Sequence, residues 1–128
     1  MKRFLSVLVF VVLALAAANA LAAGQQAKSA AAKTTTMKGE IVDMGCYLAH
    51  GARGEDHKSC ATKCIAGGMP FGLLTPTGKL YLLTMNHDNP DPYNKCKDMA
   101  AENVTVTGAL EERNGIMAID VSDVKTAK

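Results

Sequence analysis

From residue 40 onward, apolar positions fall in short runs separated by Gly, Pro and Asn, the pattern of a small β-domain. Glu40–Met44 is a strand candidate that stops where Gly45 and Cys46 open an irregular, Gly-rich stretch reaching Gly54. Leu73-Leu74 and Leu80–Leu83 flank Thr75-Pro76-Thr77-Gly78, whose Pro and Gly predict a turn between two strands. The second of these is apolar at every position, as expected of a central strand. Val104–Thr107 alternates cleanly and Leu110 keeps the parity of the valines. Asn114-Gly115 then predicts a tight hairpin into Ile116–Val121, with Met117, Ile119 and Val121 on one face.

Two segments carry helical spacing instead. His57–Ala66 has Asp56 as its expected cap and Gly67-Gly68 as its stop. The second starts with Asp91 as cap and Pro92 at its first position, and its apolar stripe is Tyr93, Cys96, Met99 and Ala100. The predicted order is strand, helical insert, two strands, helix, two strands.

That order resembles the OB-fold, a five-stranded Greek-key barrel with a helix between its third and fourth strands. Val104–Val124 is similar to the closing hairpin of exported bacterial OB-fold domains. The expected fold is therefore mainly β: an OB-like barrel over residues 37–125, with a short helical insert at 46–69 after the first strand. The resemblance implies a binding module, since OB-folds commonly take oligonucleotides or oligosaccharides. Beyond residue 22 the aromatic residues are Tyr47, Phe71, Tyr81 and Tyr93 without any Trp, too few for base stacking along a basic groove.

The N-terminus sets the compartment. Met1-Lys2-Arg3 precedes an apolar run from Phe4 to Ala18, and small-x-small sites follow at Ala18–Ala20 and Ala20–Ala22. This is the order of a secretory signal peptide, residues 1–22, and it predicts a periplasmic or secreted protein with no membrane anchor after cleavage. Residues 23–36 are low in complexity and predict a flexible tether. Removing Lys2 and Arg3 brings the 14 basic residues level with the 12 acidic ones. A neutral domain has no electrostatic footprint for nucleic acid or for an anionic membrane.

Export makes the four cysteines, Cys46, Cys60, Cys64 and Cys96, the main candidates for chemistry. In an oxidising compartment an even count predicts disulfides. Cys60 and Cys64 lie one helical turn apart, a poor geometry for pairing with each other, so Cys46 and Cys96 would each join one of them, in either combination. A second reading starts from spacing. His57, Cys60 and Cys64 stand at i, i+3 and i+7 and share one helix face. Cys46 and His50 lie upstream, in a loop that could fold over that face. Thiolates with imidazole suit copper or zinc, and Met44 or Met69 could add a thioether to Cu(I), although core packing is the simpler role for both methionines. One disulfide, such as Cys64–Cys96, would leave a smaller site. The third reading is thiol–disulfide exchange through Cys60 near a helix N-terminus.

Cys60-Ala61-Thr62-Lys63-Cys64 is similar over five residues to the metal-binding pair of the copper chaperones that assemble cytochrome oxidase. Their thioredoxin-type βαβ pattern is missing here. No Cys-x-x-Cys-His haem run, Gly-x-Ser-x-Gly elbow, phosphate-binding Gly loop or His-Glu-x-x-His helix occurs. His87 reads as a turn residue and Glu111-Glu112 as a solvated hairpin end. The expectation is a non-enzymatic binding or accessory module, acting on a periplasmic protein or a small ligand.

Overall fold

The computed structural model describes residues 33–127, so the predicted leader and residues 23–32 of the tether lie outside the described residues. Five strands close into a barrel: β1 (Lys33–Asp43), β2 (Phe71–Leu74), β3 (Leu80–Met85), β4 (Asn103–Arg113) and β5 (Ile116–Thr126). Around the barrel the order is β1-β2-β3-β5-β4, and β4 closes on β1. Among the described residues, only the β3–β5 pair is parallel. Three helices accompany them: α1 (Met44–His50) and α2 (Lys58–Ala66) between β1 and β2, and α3 (Asp91–Lys97) between β3 and β4. This is the expected five-stranded barrel, and its topology is compatible with the OB-like fold.

The barrel follows from the alternation. Val104 and Val106 of β4, Ile119 and Val121 of β5, and Tyr81 and Leu83 of β3 are buried, while their neighbours face outward. β3 is not apolar-buried on both faces as expected, because Leu80 and Leu82 remain half-buried. Ile41, Phe71 and Leu73 complete the wall. Cys96, Met99 and Ala100, together with Ala61 and Ile65 of α2, join the same core. Burial of this kind contributes roughly 1.5–3 kcal/mol for each large side chain removed from water.

Four local features depart from the sequence reading. The first strand begins at Lys33, so residues 33–36 of the expected tether pair with Thr107–Leu110 of β4. A polar run such as Lys33–Thr36 has no apolar face to reveal it, and β-branched threonines suit a strand as well as a coil. β5 continues past Val121 to Thr126. Thr107 pairs with Asp123 and Gly108 with Val121, so Ser122 is skipped in a bulge and Val124, rather than residue 123, turns inward. A Cβ on Gly108 would run into Asp120 O across this pair, which is why the crossing needs glycine. α3 starts at Asp91 itself, with Pro90 at the cap position and no side-chain cap. Finally, the Gly45–Gly54 stretch is not wholly irregular: its first part is α1.

The two predicted turns form where expected. Thr75 and Lys79 bracket the β2–β3 turn, with Thr75 N–H donating to Lys79 O at 2.9 Å. Asn114 and Gly115 both take positive φ, 51° and 82°, in the β4–β5 hairpin.

Candidate metal centre

Asp43 is the last residue of β1 and the cap of α1, and the site is built around it. Its Oδ1 accepts the Gly45 N–H at 2.8 Å and the Cys46 N–H at 3.4 Å, satisfying two of the orphan donors that start the helix. Gly51, at φ 67°, ends α1 by donating to Tyr47 O at 2.7 Å. Glu40 then accepts the Gly54 N–H at 2.5 Å and ties the returning loop to β1. A one-turn 3-10 segment, Glu55–His57, leads into α2, whose cap position is His57 and not the expected Asp56. Met69 N–H donates to Cys64 O at 2.9 Å and Met44 N–H to Pro70 O at 3.0 Å, so the end of the insert returns to its start.

These constraints gather two overlapping sets of donors. Cys46 Sγ, a His57 ring nitrogen and Cys60 Sγ lie within 4.8 Å of one another. An Asp43 carboxylate oxygen, Cys46 Sγ and Cys64 Sγ form a second set within the same limit, with Cys46 common to both. A tetrahedral zinc ion holds sulfur at about 2.3 Å and nitrogen at about 2.0 Å, which separates donors by about 3.3–3.8 Å. Closing either set on an ion therefore asks for shifts of no more than about an ångström.

Two atoms in the site lack any partner. Asp43 Oδ2 and His57 Nε2 are buried without a hydrogen bond, and they face each other across 3.9 Å with side-chain exposures of 0% and 18%. That gap is too long for a hydrogen bond. It is close to the span of two metal–ligand bonds of roughly 2.0–2.2 Å each. A buried carboxylate oxygen and a ring nitrogen left unsatisfied are costly. A cation among the three thiols would relieve both at once.

The electrostatics agree. Burial alone would push the Asp43 carboxyl up, but the adjacent Cys46 thiol, the Gly45 and Cys46 backbone N–H groups and the adjacent Cys64 thiol outweigh it and hold the group below its ordinary value. The Cys46 thiol is pushed up to about 12, first by the Asp43 carboxylate beside it and then by burial. Burial also pushes the Cys64 thiol up, with Cys60 adding to it. Without a cation, Cys46 and Cys64 are thus neutral thiols packed on one carboxylate. Bound metal would invert that balance, because a coordinating thiol is deprotonated outright.

Of the residues singled out by spacing, Cys46, His57, Cys60 and Cys64 come together. His50, at the exposed end of α1, belongs to neither set. Cys96 lies apart in the barrel core at 0% exposure, where burial pushes its thiol up to about 12. All four cysteines are free, so the expected disulfides are not formed: Cys96 is sealed among Met99, Ala100 and the barrel valines. Asp43 was missed by the spacing argument. Its signal was a lone acid following Ile41-Val42 and standing three residues before Cys46, the position of a helix cap. His87 belongs to neither donor set. Comparisons with protein-family models, with curated proteins and with solved structures find no match.

Proposed function

We propose that this chain is an exported, non-enzymatic module that binds a soft or borderline metal ion, copper or zinc, through Cys46, Cys60, Cys64 and His57, with Asp43 beside them. The observation that carries the reading is the unpartnered pair, Asp43 Oδ2 and His57 Nε2, set among three thiols. Mixed thiolate and imidazole donors are the chemistry of these ions, and several thiolates with one carboxylate supply the negative charge that a cation offsets. Export rests on the leader-like N-terminus alone. The raised pKa of Cys46 and Cys64 argues against either of them as the attacking thiol of an exchange reaction, since a reactive cysteine needs a stabilised thiolate.

The test is metal stoichiometry. The full chain, purified under reducing conditions and titrated anaerobically with Zn(II), Co(II) and Cu(I), should take up at least one equivalent. Co(II) should give intense thiolate charge-transfer bands. Loss of binding in a Cys46→Ser, Cys60→Ser, Cys64→Ser triple variant supports the site. Equal binding by that variant refutes it.

A further inference from the structure

Met69 stands where the two halves of this centre meet. Its backbone N–H is tied to Cys64 O. Its side chain lies over the start of α1: a Cβ on Gly45 would sit 2.9 Å from Met69 Sδ and 3.3 Å from Asp43 Oδ1. Glycine at 45, between Asp43 and Cys46, is what gives the thioether its seat against the turn that carries two of the donors. Met69 nonetheless remains 40% exposed. Its outer side lines a groove of about 390 Å³ together with Phe71, Leu82, Met85 and Tyr93. Met85, across that groove, is exposed to the same degree.

Among the described residues, no four His, Cys, Asp or Glu donors lie mutually within the 4.8 Å that each set of three satisfies. An ion that demands four strong ligands is therefore less well served than one content with two or three. Monovalent copper is such an ion. A neutral thioether adds to its binding without adding charge, whereas zinc takes thiolate, imidazole and carboxylate.

Building on the metal-binding reading above, we propose that Met69 is a surface-facing sulfur donor that makes the centre selective for Cu(I). With one side on the ligand turn and the other on the open groove, Met69 is the point at which the ion is passed between the protein and an incoming donor or acceptor. The groove keeps that point accessible, and Cys60, exposed on α2, is the nearest strong ligand to solvent.

The experiment uses the full chain labelled with selenomethionine and loaded anaerobically with Cu(I), beside a Met69→Leu variant. Leucine keeps the volume and removes the sulfur. X-ray absorption at the selenium edge should show a copper neighbour in the wild type and none in the variant. Competition against a chromophoric Cu(I) chelator should show affinity falling about tenfold in the variant, the scale of a supporting-ligand change, with Zn(II) affinity unchanged. No selenium–copper contact, or equal Cu(I) affinity in both proteins, overturns the assignment of Met69. A wild type that holds Zn(II) but not Cu(I) overturns the copper selectivity and leaves the centre standing. One that holds neither ion overturns the metal reading itself.

Discussion

Cys46 and Cys96 have thiols pushed to the same height, about 12, by different means. At Cys96 the cause is burial in the barrel core, where the sulfur acts as a small apolar group. At Cys46 the first cause is a neighbouring carboxylate. A cation reverses the second effect and has no access to the first. Composition and compartment treat the four cysteines alike, yet the fold divides them into one packing residue and three candidate ligands.

Substitution of the shared donor should separate the two regions most sharply. Cys46→Ser is expected to lower metal affinity by about a hundredfold or more, given that even supporting residues cost 10–100-fold. Cys96→Ser should leave affinity unchanged. Its effect should fall on stability, roughly 1–3 kcal/mol for a hydroxyl buried without a partner, read as a drop in Tm of several degrees. Equal metal loss in both variants would erase the distinction.

A smaller effect is expected at Asp43. Asp43→Asn keeps an acceptor for the α1 cap and removes the charge, so metal affinity should fall about tenfold with little change in circular dichroism. Asp43→Ala should add a capping loss of about 1 kcal/mol, visible as faster hydrogen exchange in α1.

The mildest test is pH. The thiols of Cys46 and Cys96 keep their protons in the folded protein above the pH at which the unfolded chain gives them up. Their contribution to metal-free stability is complete below the ordinary thiol value of 9.0 and is lost as pH rises toward about 12. Urea midpoints should therefore fall between pH 8 and pH 10.5 in the metal-free protein. Cys96→Ala should flatten part of that fall. Metal affinity should move the opposite way and rise with pH, since each coordinating thiol must release its proton.

The barrel was legible because its strands alternate and its turns carry Pro-Thr-Gly and Asn-Gly at the required places. What escaped was whatever leaves no apolar trace. Thr34–Thr36 are held by pairing with β4 rather than by burial, and the Ser122 bulge is a matter of register, invisible until two strands are laid side by side. α1 is seven residues long and contains a glycine, too little periodicity to distinguish from a loop. In the site, the i, i+3, i+7 spacing brought out His57, Cys60 and Cys64, and proximity in sequence brought out Cys46. The same proximity brought out His50, which α1 carries to its exposed end, outside both donor sets. Asp43 needed the fold, since it acts through a cap and a facing histidine fourteen residues on.

Asp43 also sets how long the molecule should last. It is where the barrel wall hands over to the insert, and the charge buried there has one unsatisfied oxygen. An ion bound at that junction favours the closed insert by mass action. On the metal-binding reading, loss of the ion should open the 44–69 segment ahead of the barrel and offer the first cut to a protease, tying the lifetime of the chain to the ion.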